Sequence, residues 1–225
     1  KEHDGRVDFK ELNLVENVVE GQVLARKIAA EPGEAGRTVT GKLLPAKDGQ
    51  DTRIDVGKNV RLSEDGKTAV AEMNGQVILA AGKINVEPVY VVNGNVDLKT
   101  GNILFLGAVV VNGSVEDGFT VKAAGNVEVT GNVGKCEIDA EGDIIVHQGI
   151  TGKGSGSVKA GGSIWCKFIE NSHVESGELV VVSDGIINSE VFANKRSSVA
   201  VSVRALWVVA FGLLKRSTPR HWGRL

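Results

Sequence analysis

From about Gly94 to Asp184 the chain is built of short runs that place valine or isoleucine at alternate positions, stop at a glycine, and start again. The stretch GNVEVTGNVGKCEIDAEGDIIVHQG, Gly125 to Gly149, shows the cadence plainly. Val109, Val115, Val121, Val127 and Val133 are six residues apart, and Gly107, Gly113, Gly125 and Gly131 each stand two residues before one of them. Aligning Gly107, Gly125, Gly142, Gly162 and Gly177 gives intervals of 18, 17, 20 and 15 residues. Alternation with period two means strand, glycine marks a corner, and a unit recurring at this length is one coil of a stacked repeat.

The reading is therefore an all-β chain whose main body is a right-handed parallel β-helix, a β-solenoid with roughly three faces per coil, preceded by a small β-rich domain. In such a stack each strand pairs in parallel with the strand one coil away, and alternate side chains enter a narrow shaft. The inward positions are Val109, Val111, Val115, Val121, Ala123, Val127, Val129, Val133, Ile138, Ala140, Ile144, Val146, Ile150, Val158, Ala160, Ile164 and Cys166. Between them Glu116, Lys122, Glu128, Glu137, Asp139, Glu141 and Lys159 face solvent. Glycine at the corners admits backbone angles that a Cβ would penalise. Burying one valine or isoleucine contributes about 1.5–3 kcal/mol before conformational entropy is subtracted. An antiparallel sandwich is the competing architecture, and the repeated spacing favours the solenoid. Left-handed hexapeptide helices carry a small residue after each inward aliphatic, where this chain has Val110, Glu116, Lys122 and Glu128; right-handed coils follow.

Residues 1–84 read as the small β-rich region, 85–196 as the parallel β-helix, and 197–225 as a tail of another kind. In the first segment Pro32-Gly33, Asp48-Gly49, Asp65-Gly66 and Asn74-Gly75 separate short apolar runs, and Asn74-Gly75 predicts a type I′ hairpin between TAVAEM and QVILAA. The charge divides unevenly. Residues 85–192 hold 6 basic and 14 acidic residues, so a phosphate backbone is repelled and nucleic acid is excluded as a partner. Residues 193–225 hold 7 basic and no acidic residues, and the cadence stops after Lys195-Arg196. A shifted reading frame accounts for so abrupt a change. The alternatives are a membrane segment over Val199–Leu214, which is short and contains Arg204, and an amphipathic surface helix with Arg204, Lys215 and Arg216 near head groups.

The sequence offers little catalysis. Gly149 to Ser157, GITGKGSGS, lacks the first glycine of a phosphate loop, with His147 in its place, and has Gly154 where a hydroxyl residue must follow Lys153. It reads as a mobile insertion at a corner. His147 and His173 are conceivable acids or bases and Cys136 and Cys166 conceivable nucleophiles, but none has a partner arrangement. Cys166 occupies an inward position and reads as a buried, inert thiol. The serious enzymatic alternative is a carbohydrate-cleaving solenoid using Asp139 and Asp143, with Glu128 or Glu141 nearby; ordinary solvated outward positions account for the same carboxylates. Two cysteines without a CxxC spacing exclude a disulfide framework or a zinc finger. No catalytic, cofactor-binding or metal-binding residue is assigned.

VNGNVDLKTGNILFLGAVVVNGSVEDGFTVKAAGNVEVTGNV, Val92 to Val133, followed by IDAEGDIIVHQGITGKG and FIENSHVESGELVVVSDGIINSEVFA, resembles the flagellar assembly protein A (FapA) family. The upstream EGQVLARKIAAEPGEAGRTVTGKLL, Glu20 to Leu44, is similar to that family's lead-in segment. The resemblance implies a bacterial cytoplasmic protein with a β-helical body and no established catalytic residues. It implies a scaffold role in flagellar assembly or positioning through protein contacts, with phosphotransferase-system or polar components among the partners and self-association open. After Arg196 the chain departs from the family pattern.

Overall fold

The computed structural model describes residue 10 and residues 15–194, and beyond them the backbone of short strands at 2–3, 6–7, 206–207 and 210–212. The chain divides into two compact units, Glu16–Pro88 and a second comprising Lys1–Val15 with Val89–Leu225. All regular structure among the described residues is β-strand.

The strands run β1 (Glu2–His3), β2 (Arg6–Val7), β3 (Asn17–Val18), β4 (Val23–Arg26), β5 (Gly36–Arg37), β6 (Leu43–Leu44), β7 (Val60–Leu62), β8 (Thr68–Ala71), β9 (Gly75–Ala80) and β10 (Lys83–Glu87). They continue as β11 (Val89–Val92), β12 (Ile103–Phe105), β13 (Ala108–Val111), β14 (Thr120–Ala123), β15 (Val127–Val129), β16 (Glu137–Ala140), β17 (Ile144–Val146), β18 (Gly149–Ala160), β19 (Ile164–Ser176), β20 (Val180–Ile187), β21 (Glu190–Ala193), β22 (Leu206–Trp207) and β23 (Ala210–Gly212).

The Glu16–Pro88 unit is antiparallel throughout its named sheets, in the orders β10-β9-β3, β4-β8-β7 and β5-β6. Val18, Val60, Ala69, Ala71 and Val86 form its small buried core. The turn dipeptides Pro32-Gly33 and Asp48-Gly49 meet: Gly33 N–H donates to Asp48 Oδ1 at 2.9 Å, and Gly49 N–H to the Glu31 carbonyl at 2.9 Å. The hairpin expected at Asn74-Gly75 is not formed, because β8 pairs with β4 and β7 while β9 pairs with β10 and β3. Asn74 Oδ1 instead accepts the Glu20 N–H at 2.8 Å, and a Cβ on Gly75 would collide with the Glu87 carbonyl. The two-residue turn lies one strand later, at Ala81 (φ 50°) and Gly82 (φ 76°), where both central residues take the positive φ that type I′ demands.

From Val89 onward the register is parallel and the partner is always one coil away. On the first wall Tyr90, Val109, Val127, Ile144, Ile164 and Val180 stand in one column. On the second Val96, Val115, Val133, Ile150, Ile169 and Ile186 do the same. On the third Ile103, Val121, Ile138, Val158, Val174 and Val191 stack beside a slimmer column of Phe105, Ala123, Ala140, Ala160, Ser176 and Ala193. These columns make one continuous core, and all seventeen positions read as inward are buried. The parallel solenoid is thereby established. Backbone pairing continues from Ile186–Ile187 to β22 and from Glu190–Phe192 to β23. The side chains of the basic tail, including Arg204, Lys215 and Arg216, lie outside the described residues, and of the stretch Val199–Leu214 only the backbone of β22 and β23 is described.

At Gly94, Gly101, Gly118 and Gly154 the corners take the positive φ expected of glycine, and at other positions they use glycine differently. Gly113, Gly125, Gly131, Gly142 and Gly162 are not among the residues with positive φ. They are needed for room. Ser114 N–H donates to Asn95 Oδ1 at 2.9 Å, Asn132 N–H to Ser114 Oγ at 3.0 Å, Asp143 N–H to Asn126 Oδ1 at 2.9 Å, and Ser163 N–H to Asp143 Oδ1 at 2.8 Å. Each polar side chain reaches across to the next coil and lies over the glycine just before the N–H it receives. A Cβ on Gly113, Gly131, Gly142 or Gly162 would occupy the place of that side-chain oxygen. The dipeptides Gly-Asn, Gly-Ser and Gly-Asp are thus one device: a polar residue that caps the next coil, beside a glycine that leaves space for the previous coil's cap.

Candidate functional site

With an aliphatic shaft inside, chemistry is confined to the outer walls and corners. The four carboxylates considered for sugar cleavage are spread over different places. Asp139 lies exposed on the third wall, in register between Lys122 and Lys159. Asp143 is a half-buried corner residue whose Oδ1 is taken by the Ser163 N–H. Glu128 stands on the first wall and Glu141 at an exposed corner. Asp139 is thus on a strand wall and Asp143 already serves as a corner cap, which is not the facing pair that glycoside cleavage uses.

Both thiols are buried. Desolvation, joined at Cys136 by the Asp117 charge, pushes Cys136 up to about 12, and burial alone pushes Cys166 up to about 12. Neither forms a thiolate near neutral pH. Lys153, the lysine of the incomplete phosphate loop, pairs with Asp117 two coils back. Its surroundings form a bulge inside β18, where Thr151 to Gly156 face only Glu170 to Ser172. The Gly152 N–H donates to Ser172 Oγ at 2.7 Å, which anchors the expected corner insertion to the next coil.

The two histidines of the solenoid, His147 and His173, lie on two walls. His147 is exposed at the end of β17, with Nε2 2.7 Å from Glu128 Oε1. His173 lies between two carboxylates: Nε2 is 3.0 Å from Glu175 Oε1 and Nδ1 is 3.2 Å from Glu190 Oε2. Its ring is 5.4 Å from that of Phe192. The Glu175 hydrogen bond is the main cause that raises the His173 pKa, and the same contact lowers that of Glu175.

One surface feature escaped the alternation rule, which treats outward positions as polar. On the first wall the outward residues of successive coils are Val91, Val110, Glu128, Ile145, Trp165 and Val181, each in register with the next. Val91 is 47% exposed, and Ile145 and Trp165 are 36% exposed. At the equivalent level the third wall runs Leu104, Lys122, Asp139, Lys159, Glu175 and Phe192. The first row is apolar with a single carboxylate, and the second alternates in charge between an apolar residue at each end. Aligning outward positions one coil apart would have exposed this difference in the sequence.

The comparisons with known proteins fall on both units. The Flagellar Assembly Protein A β-solenoid domain matches residues 88–204. The Flagellar Assembly Protein A N-terminal region matches residues 1–82. The chain belongs to the Flagellar Assembly Protein A family. Both FapA segments follow in the order that the sequence motifs suggested, and the family ties the chain to flagellar assembly. No curated protein and no solved structure gives a significant match. No group of three or more histidine, cysteine or acidic residues suited to a metal ion occurs among the described residues. Nor do these residues include a helix long and apolar enough to cross a membrane.

Proposed function

We propose that this FapA chain is a noncatalytic cytoplasmic scaffold in bacterial flagellar assembly or positioning, and that its solenoid presents the first wall to a protein partner. The carrying observation is the in-register row Val91, Val110, Glu128, Ile145, Trp165 and Val181, a line of partly exposed aliphatic and aromatic side chains interrupted by one carboxylate, on a sheet backed by the stacked columns. Ordered apolar rows of this kind bury favourably against a partner, and tryptophan is favoured at the centre of such contacts. A flagellar or polar component, a phosphotransferase-system component and a second copy of the chain are the occupants to be distinguished.

The test is complementation of a flagellated strain lacking the gene, combined with cross-linking of the full chain. The double variant Ile145→Lys/Trp165→Lys should lose flagellation and the cross-linked species while keeping the wild-type circular dichroism. Asp139→Asn/Asp143→Asn, which keeps an oxygen at the corner cap, should support flagellation fully. Normal assembly by the lysine variant would remove the reading. Loss of assembly in the asparagine variant, together with loss of a glycan-cleaving activity that the wild type shows, would replace it with the enzymatic one.

A further inference from the structure

We propose that His173 is a proton-operated latch: its imidazolium, held between Glu175 and Glu190, fastens β21 to the coil before it, and loss of the proton releases that strand. The argument begins with hydrogen-bond capacity. An ionised carboxylate only accepts, so a ring whose two nitrogens both lie within hydrogen-bond reach of carboxylate oxygens must donate at both, and only the protonated ring does so. A neutral ring would turn a lone pair toward one of the two carboxylates and replace attraction with repulsion.

The surroundings reinforce this. Glu175 shares the His173 strand, and Glu190 begins β21, the strand stacked next in register through His173↔Glu190. From the other side β18 presents Ser157 opposite His173, and Lys159 reaches Glu175 at 3.4 Å. Glu137 of β16, in register with Ser157, pairs with Lys122 at 3.0 Å. β17 and β20 join β19 only between Ile164 and Glu170 and bring no charge opposite the imidazole. Without its proton the ring would thus face two carboxylates, and among the described residues Lys159 reaches one of them, Glu175. His147 differs, since a single carboxylate, Glu128, stands beside it and one neutral tautomer satisfies that contact.

The direction of the pH effect follows. The folded pKa of His173 lies above its ordinary 6.5, so the stabilisation is complete below that value and is lost as pH rises through the folded pKa. The groups are partly exposed, so the effect on strand opening is modest, on the order of two- to fivefold.

The experiment uses the full chain. Side-chain nitrogen and carbon shifts of His173 are followed by nuclear magnetic resonance between pH 5 and 9, together with amide exchange in Glu190–Ala193 corrected for intrinsic rates. We expect a His173 titration midpoint above 6.5 and β21 amides that open about two- to fivefold more often at the alkaline end. His173→Gln should abolish that pH dependence and His147→Gln should keep it. A His173 midpoint at or below the ordinary value in the wild type, which needs no variant to fold, would overturn the proposal. So would a His173→Gln protein whose β21 opening retains the wild-type response.

Discussion

The two units solve the same problem, pairing short strands, in opposite ways. In Glu16–Pro88 every sheet is antiparallel, mixing local hairpins such as β9–β10 with the distant pairs β3–β9 and β4–β8, and the buried core is small. Ile28, Val39, Leu43, Leu44 and Leu79 remain exposed there. In the solenoid every pairing is parallel and every partner is a coil away, even where the long strands β18, β19 and β20 pair in succession, and the core is unbroken from Val92 to Ala193. The sequential pairs β5–β6, β7–β8 and β9–β10 each depend on their own turn chemistry. Stacking makes each coil both template and lid for its neighbours, so a defect in one wall is shared by the coils above and below.

The sharpest way to test that contrast is a cavity in the shaft. Ile144 is fully buried between Val127 and Ile164, and Ile144→Ala should cost about 2–5 kcal/mol. Both cysteines lie in the solenoid, so thiol labelling in urea reports that unit alone. Labelling of Cys136 and Cys166 should shift to lower urea together. If Cys166 were exposed earlier while Cys136 was unaffected, the coils would be independent and the contrast would fail.

A smaller effect probes the corners. Gly142→Ala forces a methyl against Asn126 Oδ1 and Asn126→Ala removes the acceptor of the Asp143 N–H; each should cost about 1–3 kcal/mol. Because the two side chains compete for one space, the double variant should be less destabilised than the sum of the singles. Strict additivity in a denaturation cycle would mean that glycine is there for some other reason.

The smallest effect belongs to the N-terminal unit. Ala81 holds φ 50° at the β9–β10 turn, a conformation asparagine tolerates better than alanine. Ala81→Asn should stabilise this unit by about 0.5–1 kcal/mol and leave the thiol-labelling midpoint of the solenoid unchanged.

These differences track what could be read from the residues. The shaft was legible because Val109, Val127, Ile144 and Ile164 obey one local rule repeated coil after coil, and misreading any single position does not disturb the pattern. In the N-terminal unit each turn occurs once, and Asn74-Gly75 outranked Ala81-Gly82 on composition alone. The structure reversed that order because Asn74 is spent on the Glu20 N–H and Gly75 is pressed against Glu87. At the candidate site the outward charges were legible one by one. The pairing of Glu128 with His147, and of His173 with Glu175 and Glu190, depends on which residues a coil brings into register.

The sequence by itself determined the alternation, the corners and the exclusion of a dense active-site motif, since periodicity and composition are properties of neighbours along the chain. Only the tertiary structure decided that Asn126 lies over Gly142, that His173 lies between Glu175 and Glu190, and that β8 turns away from β9. Apart from His173 and Glu175, which share a strand, those contacts join residues about one coil apart or in separate sheets. Their geometry is set when the shaft closes and fixes how far one coil stands from the next.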